Sequence, residues 1–203
     1  MKVISISGNS GVGKSALLMG LEKGLKTIGL KDVWRIDESN FHHQFLELMF
    51  ANPGKWAFPI QLNFLLQRST YLMMERSIEE DHLYCEYYRN GGSFSKPLYA
   101  CYETMHDYFA GEIGGPDIFI YLKADPKLLV KRIEDDMASG KRAREVEGKQ
   151  LKSYIDDLNE IYAAWSEAKR QGGNGYLWIE PEVSGDANRI VDQILPRIES
   201  AIR

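Results

Sequence analysis

The segment that most constrains the fold lies near the start of the chain and reads Gly8-Asn9-Ser10-Gly11-Val12-Gly13-Lys14-Ser15. It fits the pattern G-x-x-x-x-G-K-[ST], which requires a strand before it and a helix after it. Residues 2–7 have the character of a short buried strand, and residues 14–28 carry apolar positions at helical spacing. The pattern therefore predicts a tight connection between strand and helix, and we call Gly8–Ser15 the phosphate loop.

Each part of the phosphate loop suits the binding of phosphate groups. Glycines let the backbone turn several N–H groups toward phosphate oxygens, and the helix amino terminus adds partial positive charge. Lys14 can reach the β- and γ-phosphates, and the Ser15 hydroxyl can ligate Mg²⁺. The loop thus predicts binding of a nucleoside triphosphate, with a glycine-rich turn that holds no nucleotide as the alternative.

Strand and helix patterns alternate along the rest of the chain, which predicts an α/β fold with a five-stranded parallel sheet and helices on both faces. In such a sheet ligands bind at the carboxyl ends of the strands, so the residues that follow each strand are the candidates for function. The Pro53-Gly54 pair is expected to break a helix, and residues 70–74 could continue the preceding helix rather than form a strand. The further strands are predicted at 31–36, 70–74, 117–122 and 175–179, and the helices at 14–28, 40–51, 57–68, 78–90, 98–110, 126–137, 150–170 and 186–202.

Length and composition exclude several classes of protein. At about 150 residues per domain, a chain of 203 residues is expected to form a single domain. Its 44% hydrophobic and 27% charged residues are typical of a folded globular protein rather than a disordered one. A net charge of −4 excludes a uniformly basic nucleic-acid coat and does not support a polybasic membrane anchor. Without a membrane span or a signal peptide in the sequence, we expect a cytoplasmic protein with no nucleic-acid or membrane partner.

The cysteines and histidines offer no metal site. Cys85 and Cys101 are too few for a disulfide scaffold and fit no metal-ligand spacing. We expect both to be reduced thiols, buried or half-buried, in a reducing compartment. The four histidines have no metal-ligand spacing either, and we expect them at the surface or in the core.

Charged residues follow the second and third predicted strands. After the second strand come Asp37 and Glu38, and a carboxylate there could accept a proton from an acceptor hydroxyl. The alternative is an acid at a helix amino terminus. After the third strand, Glu75 could bind Mg²⁺ and Arg76 could contact the transferring phosphoryl group, with a plain surface ion pair as the alternative.

Two further segments carry polar side chains at suggestive positions. Gln61 and Arg68 lie two turns apart on one helix face, where a carboxamide could recognise the edge of a nucleobase. Asp81 in the next helix could pair with Arg68, and a polar stripe on an amphipathic helix is the alternative. The segment 141–147 concentrates cations and predicts a mobile flap that closes over phosphates, with a solvated basic loop as the alternative.

In order and spacing these motifs resemble the deoxyribonucleoside kinases, a family with the P-loop NTPase fold that phosphorylates the 5′-hydroxyl of deoxynucleosides. The resemblance runs from residue 1 to about residue 165. Beside the phosphate loop and Glu38, it rests on residues 49–61, which are similar to the family stretch M-Y-x-x-P-x-x-W-x-F-x-x-Q. Glu75-Arg76-Ser77 and Asp81 match its E-R-S and following aspartate, and Arg142-Ala143-Arg144-Glu145-Val146-Glu147 looks like its lid sequence R-G-R-x-x-E.

The resemblance implies a role for each matched residue. Glu38 would be the general base, assisted in catalysis by Arg76 and Lys14, while Ser15 and Glu75 would serve Mg²⁺. ATP would be held by Gly8, Asn9, Ser10, Gly11, Val12, Gly13, Lys14, Ser15, Arg142 and Arg144. The substrate would contact Glu38, Met49, Phe50, Phe58, Ile60, Gln61, Arg68, Arg76, Asp81 and Glu147, with Gln61 on the base, Arg68 and Asp81 on its polar edge, and Glu147 on the 3′-hydroxyl.

The chain as a whole would then be a single kinase domain over residues 1–203 with a short arginine-rich lid at about 138–148. The resemblance implies an ATP- and Mg²⁺-dependent deoxynucleoside kinase of nucleotide salvage that forms a homodimer. Asp81 can accept from an exocyclic amino group, which thymine lacks, so a purine or deoxycytidine is expected rather than thymidine.

The sequence departs from the family pattern at three places. Phe50 replaces a tyrosine, Ser39 replaces a proline and Ala143 replaces the glycine between the lid arginines. Two other readings remain at this point. A nucleoside monophosphate kinase, such as thymidylate kinase, is disfavoured because Glu38 would repel the acceptor's own phosphate. A P-loop protein that binds nucleotide without catalysis would leave Gln61 and Asp81 without a purpose.

Overall fold

The fold is an α/β arrangement in which the strands of a small parallel sheet are separated in the chain by helices. The computed structural model describes residues 2–30, 33, 35, 46–68, 73–142, 146, 148–172, 175–183 and 186–202, without the side chains of 67, 68 and 73–75. Its strands are β1 (Ile4–Gly8), β2 (Met73–Glu75), β3 (Ile118–Leu122) and β4 (Leu177–Ile179). Its helices are α1 (Lys14–Thr27), α2 (Pro53–Arg68), α3 (Ile78–Asn90), α4 (Lys96–Ile113), α5 (Pro126–Ala138), α6 (Gly148–Gly172) and α7 (Ala187–Ile202), and residues 46–51 are also helical.

The sheet places the end of β1 at the middle of its carboxyl edge. Within the described residues the strand order is β2-β1-β3-β4, and all the pairings are parallel. Every residue of β1 and β3 is buried, as expected for strands covered on both faces. Ile6 pairs with Glu75 and Gly8 pairs with Leu122, so the phosphate loop leaves the sheet between the ends of its two neighbours.

The predicted α/β class is confirmed, with several element boundaries shifted and one predicted strand outside the description. The strand predicted at 31–36 falls mostly on residues that the structure does not describe. Of the strand predicted at 70–74, residues 70–72 lie outside the description, and Glu75 is the last residue of β2 rather than the residue after the strand. The prediction was wrong there because β2 is set by pairing with Ile4–Ile6, a partner far away in the chain.

Helix α2 begins earlier than the Pro53-Gly54 pair suggested. The helix of 46–51 ends before Asn52, and α2 starts at Pro53 rather than near 57. The Oδ1 atom of Asn52 accepts from the Lys55 amide at 3.3 Å, and its carbonyl oxygen accepts from the Trp56 amide at 3.1 Å. Asn52 thus caps the helix, and proline is well suited to the first helical position because it has no N–H to leave unpaired.

The buried apolar side chains form two clusters. The first joins the sheet to α1, α5, α6 and α7, and α1 approaches α7 so closely that a Cβ on Gly20 would lie 2.9 Å from Cγ2 of Val191. The second cluster joins the 46–51 helix to α2, α3 and α4, with Met49 and Ile60 among its members. Phe50 packs against both clusters. The second cluster therefore builds a mostly helical region beside the sheet.

The two cysteines differ in burial. Cys85 is buried on α3, while Cys101 is exposed, and neither forms a disulfide in the described part of the chain. The expectation of two buried or half-buried thiols was wrong for Cys101, because α4 buries the opposite face, which carries Tyr99, Tyr102 and His106. Over the described ranges, no cluster of His, Cys, Asp and Glu is placed to hold a metal ion. None of the helices in those ranges has the length and apolar character needed to cross a bilayer.

Candidate active site

The backbone of the phosphate loop depends on its glycines. Gly8, Gly11 and Gly13 have φ values of 142°, 77° and 104°, a region that side chains with a Cβ rarely adopt. A Cβ on Gly8 would lie 2.4 Å from the carbonyl oxygen of Leu122, and one on Gly11 would lie 2.9 Å from Cγ1 of Ile133. The loop can therefore take this path between β3 and α5 only with glycine at those two positions.

Lys14 lies inside the phosphate loop. Its side chain is buried, and Nζ donates to the carbonyl oxygens of Gly8 at 2.8 Å and Asn9 at 3.1 Å. Half-buried Ser15 follows it in the first turn of α1, which contains no acidic residue. An ammonium group and a helix amino terminus thus provide positive charge at one place, which favours an anionic ligand.

Several elements hold the phosphate loop from outside. Asn9 donates from Nδ2 to the carbonyl oxygen of Ile155 on α6 at 3.0 Å, and its Oδ1 accepts from the Ser10 amide at 2.7 Å. Arg132 on α5 donates to the carbonyl oxygen of Val12 at 3.3 Å. These contacts tie the loop to α5 and α6 through carbonyl oxygens of Ile155 and Val12.

Among the lid residues predicted to contact ATP or substrate, Arg142 is the one whose side chain the structure describes. Its Nη2 donates to Oγ of Ser10 at 2.7 Å, so a guanidinium group lies on the phosphate loop. The other predicted lid residues, Arg144 and Glu147, lie outside the described residues, as does Glu38. Their roles stay predictions.

Arg76 has an unusual backbone conformation directly after β2. Its φ is 66°, which is costly for a residue with a Cβ and is found most often at functional sites. The Arg76 amide donates to the carbonyl oxygen of Ile6 at 3.1 Å, and its guanidinium carbon lies 4.1 Å from the centre of the Tyr84 ring. The strained backbone therefore holds this guanidinium beside the carboxyl edge of the sheet.

The predicted base-binding residues lie in the second apolar cluster or on its helices. Gln61 is only 3% exposed on α2, and it makes no hydrogen bond to any residue that the structure describes. Asp81 is 1% exposed in the first turn of α3. Arg68 ends α2 and Glu75 ends β2, but their side chains lie outside the description.

Apolar and aromatic side chains belong to the same region as Gln61 and Asp81. Met49 is buried, and its sulfur accepts from the Tyr88 hydroxyl at 3.3 Å. Phe58 meets Phe94 edge-on with ring centres 5.9 Å apart. Two further residues complete the set that the sequence predicted, with Ile60 buried in the cluster and Phe50 edge-on to Tyr154. The structure thus brings the predicted substrate-wall residues into one region.

Sequence reasoning missed four residues that take part in these contacts. The four residues are Arg132, Glu80, Tyr88 and Tyr162. Glu80 stands three residues after Ser77, the pattern of a helix capping box, so a signal for it was present. The signal would have given the wrong contact, because Oε1 of Glu80 accepts from the Gly8 amide at 3.3 Å and from the Tyr162 hydroxyl.

Comparison with protein-family models decides the family. The model described as deoxynucleoside kinase matches residues 4–194. The chain belongs to the deoxynucleoside kinase family. The predicted family is thereby confirmed, and with it the activity of an ATP-dependent phosphotransferase that acts on deoxynucleosides.

Curated relatives in this family are named for purine deoxynucleosides and deoxycytidine. A deoxyadenosine/deoxycytidine kinase of Bacillus subtilis is 29% identical over 182 residues, which cover 80% of this chain and 76% of that protein. A deoxyguanosine kinase of Lactobacillus acidophilus is 28% identical over 224 residues, covering 98% of this chain and 92% of the relative. A deoxyguanosine kinase of Dictyostelium discoideum is 24% identical over 207 residues, covering 95% and 68%.

A solved deoxyadenosine kinase from M. mycoides has the same fold as this kinase. With bound dCTP it superposes with a TM-score of 0.76 at 21% identity, covering 98% of this chain and 100% of the other. With its products dCMP and dCDP bound, the TM-score is 0.75 at 22% identity, covering 98% and 99%. These likenesses confirm the α/β fold.

Proposed function

We propose that this kinase transfers the γ-phosphate of ATP to the 5′-hydroxyl of a purine deoxynucleoside or of deoxycytidine, in preference to thymidine. The observation that carries the proposal is the Gln61 amide, which is 3% exposed and makes no hydrogen bond within the described residues. A carboxamide held among the apolar side chains of this cluster without a protein partner is well placed for a ligand that supplies hydrogen bonds. A nucleobase edge can both accept from and donate to a carboxamide.

The choice among bases follows from Asp81. Its buried carboxylate can accept a hydrogen bond from the exocyclic amino group of adenine, guanine or cytosine, whereas thymine has no such group. We assign Arg68 to the same polar edge of the base. The named relatives support this choice, since they are kinases of deoxyadenosine, deoxycytidine and deoxyguanosine.

The phosphate side of the proposal rests on three cations. Lys14 is buried in the phosphate loop, Arg142 donates to Ser10 on that loop, and Arg76 is held at the end of β2. Phosphoryl transfer passes through a loose transition state with charge spread over the phosphoryl oxygens, so positioning and charge stabilisation dominate the barrier. We assign these cations, with Arg144, to the phosphates of ATP and to the transferring group.

Magnesium fits the residues at the same edge. Mg²⁺ prefers hard oxygen ligands, and Ser15 places a half-buried hydroxyl in the first turn of α1 beside Lys14. Glu75 ends the strand that pairs with Ile6, two residues before the phosphate loop begins. We therefore assign Ser15 and Glu75 to the ion, which would neutralise charge on the phosphates when bound.

The remaining roles come from the family pattern. We assign Glu38 as the general base on the 5′-hydroxyl and Glu147 to the 3′-hydroxyl, with Met49, Phe50, Phe58 and Ile60 as the apolar walls of the site. A fifth strand at 31–36 would carry Glu38 at the carboxyl edge of the sheet. The segment at about 138–148 would act as the lid.

We also propose that the kinase works as a homodimer in cytoplasmic nucleotide salvage. Exposed apolar side chains on α4, namely Leu98, Tyr108 and Ile113, support pairing of this helix with a second copy. Sedimentation would test the pairing, with a two-chain mass expected and a one-chain mass contradicting it.

The substrate proposal is tested by ADP release with ATP and Mg²⁺ across deoxyadenosine, deoxyguanosine, deoxycytidine and thymidine. We expect at least one of the first three to exceed thymidine by about tenfold or more in kcat/KM, because loss of one hydrogen bond to a buried charged group is worth about that factor. Parallel reactions with the four monophosphates separate a nucleoside kinase from a monophosphate kinase. Thymidine as the best substrate, or release only with monophosphates, would contradict the proposal.

The general base is tested by Glu38→Gln. We expect kcat to fall by about 10²- to 10⁴-fold, the usual range for loss of a general base, while ATP affinity is kept. Glu47→Gln is the matched control, because Glu47 is exposed on the 46–51 helix. Wild-type turnover in Glu38→Gln would reject the assignment.

A further inference from the structure

Glu80 is a fully buried carboxylate for which the proposed reaction has no role. It lies in the first turn of α3 with 0% of its surface exposed. Oε1 accepts two hydrogen bonds, from the Gly8 amide at 3.3 Å and from the Tyr162 hydroxyl. Oε2 is buried and has no hydrogen-bond partner among the described residues.

The position of Glu80 is not the one its local sequence favours. Ser77-x-x-Glu80 has the pattern of a capping box, in which the glutamate turns back to the amide of the serine. Ser77 is indeed the residue before α3, but its side chain makes no capping hydrogen bond. Glu80 contacts Gly8 instead, 72 residues away in the chain. Long-range contacts therefore decide where this carboxylate lies.

A buried carboxylate is costly, so its partners indicate what it does. One partner is the first amide of the phosphate loop. The other is Tyr162 on α6, which is itself 0% exposed. Glu80 therefore links the helix that carries Asp81 to the phosphate loop and to α6.

Tyr162 is suited to orient the carboxylate. Burial, and next the charge of Glu80, raise the pKa of Tyr162 well above its usual value, so the phenol stays protonated and donates. The Tyr162 ring stacks with Tyr121 and meets Tyr84 edge-on, each with ring centres 6.3 Å apart. Packed rings restrict the phenol, so its hydroxyl offers a fixed donor to Oε1.

The same cluster reaches Arg76. The Tyr84 ring that packs against Tyr162 carries the Arg76 guanidinium at 4.1 Å from its centre. Gly8 is confined on its other side, where the carbonyl oxygen of Leu122 excludes even a Cβ. A continuous set of contacts thus runs from the first amide of the phosphate loop, through Glu80 and two tyrosines, to the proposed phosphate-binding arginine.

We propose that Glu80 is a positioning residue for phosphoryl transfer. Its carboxylate, oriented by Tyr162, fixes the Gly8 amide and so sets the phosphate loop relative to α3 and Arg76. The proposal rests on the proposed function in one respect, because it takes the phosphate loop as the ATP site. A displacement of about 1 Å in such a site is enough to cost a large factor in rate.

The test compares Glu80→Leu with Glu80→Gln. Leucine removes both acceptors, and we expect kcat to fall about ten- to hundredfold per folded molecule, the range for losing hydrogen bonds to a charged group. Glutamine keeps an oxygen where Oε1 accepts, and we expect kcat within about threefold of wild type. Thermal unfolding gives the folded fraction, and calorimetry with ATP measures binding without turnover.

A second pair of variants tests the orienting role and does not depend on Glu80→Leu being folded. Tyr162→Phe keeps the ring and removes the donor, and we expect a fall in kcat of about threefold or more. Tyr121→Phe is the matched control, because it removes a phenol hydroxyl from a buried tyrosine that stacks on Tyr162 and makes no hydrogen bond to Glu80. We expect it to keep wild-type kcat.

Two outcomes would overturn the proposal. One is wild-type kcat and ATP affinity in folded Glu80→Leu or, if that variant does not fold, wild-type kcat in Tyr162→Phe. The other is an equal loss of kcat in Glu80→Gln and Glu80→Leu, since then the acceptor oxygen is not what matters. Failure of the proposed function can be told apart from failure of this proposal. If the proposed function is wrong, the wild-type protein itself releases no ADP when a deoxynucleoside is added.

Discussion

The phosphate loop and the proposed acceptor region hold their polar groups in different ways. The acceptor region consists of Gln61 and Asp81 with the apolar side chains of α2 and α3 around them. In the phosphate loop several polar groups already have protein partners, including Lys14 on Gly8 and Asn9. In the acceptor region Gln61 is buried and makes no hydrogen bond within the described part of the chain. The protein itself pairs polar groups of the phosphate loop, whereas it leaves the side-chain amide of Gln61 for a ligand.

The difference corresponds to what each region is proposed to bind. A triphosphate is the same in every nucleotide, and a rigid loop held through its backbone suits a constant ligand. A base must be distinguished from other bases, and a site with buried polar groups rejects a ligand that cannot pair with them. The cost of holding the Gln61 amide without a protein partner falls on the stability of the free protein.

Lys14→Ala is the change with the largest expected effect. It removes the buried ammonium from the phosphate loop, and we expect kcat/KM for ATP to fall by about 10³-fold, as for loss of one main charge-stabilising group. The KM for the deoxynucleoside should stay within about twofold, measured by steady-state ADP release. Lys26→Ala is the control, because Lys26 is exposed in the last turn of α1 and pairs with Glu22 at 2.7 Å. Unchanged catalysis in Lys14→Ala would count against the whole account.

Gly8→Ala tests whether the loop is held by its backbone. A Cβ there would lie 2.4 Å from the Leu122 carbonyl oxygen at a φ of 142°, so we expect a loss of about 3 kcal/mol or more in the free energy of unfolding. Gly29→Ala is the control, with φ of 95° and no atom within 4 Å of its Cβ, and it should cost about 1 kcal/mol. Equal losses in urea unfolding would contradict the role of the Leu122 contact.

Gln61→Leu tests whether the acceptor region is kept unpaired for a ligand. Replacing the buried amide with an apolar side chain should raise the free energy of unfolding by about 1 kcal/mol, or about 2–4 °C in Tm. The same variant should raise the KM for the deoxynucleoside about tenfold. Asn63→Leu, on the exposed side of α2, should do neither. A drop in Tm with an unchanged KM would show instead that Gln61 supports the core.

Asp117→Asn has the smallest expected effect and tests the opposite edge of the sheet. The hydrogen bond from Lys2, and next that from the Val3 amide, lower the pKa of Asp117. The carboxylate therefore adds stability above the unfolded pKa of about 3.9, and this is lost as pH falls through the lower folded pKa. We expect a cost of about 1 kcal/mol or less at pH 7, because the pair is partly exposed.

Two measurements check the Asp117 prediction. Urea unfolding at pH 7 and again well below pH 4 should show the wild-type advantage disappear in acid. Both KM values should stay at wild-type levels, because Asp117 precedes β3 at the edge away from the phosphate loop. A changed KM for either substrate would mean that the two edges of the sheet are coupled.

The phosphate loop could be predicted from the sequence because its requirements are local. Two glycines, a lysine and a serine at fixed spacing between a strand and a helix are enough to specify it. The same is true of β3, whose apolar run is bounded by Pro116, and of α1, whose leucines recur at helical spacing. In each case, neighbours within a few residues decide the conformation.

The contacts that support the site could not be predicted, because they join distant parts of the chain. Glu80 reaches Gly8 across 72 residues, Tyr162 reaches Glu80 across 82, and Arg132 reaches Val12 across 120. The local pattern instead favours a capping box at Glu80, and no local pattern connects Arg132 with Val12. Glu80 is enclosed in the folded protein, and a buried charge must take the partners that the fold brings to it.

The claim that two separate regions bind the two substrates is tested most directly by calorimetry on Lys14→Ala and Gln61→Leu. For each variant the Kd of ATP and the Kd of the preferred deoxynucleoside are measured. We expect Lys14→Ala to lose at least about tenfold in affinity for ATP alone, and Gln61→Leu to lose at least about tenfold for the deoxynucleoside alone. Loss of both affinities in the same variant would contradict the account.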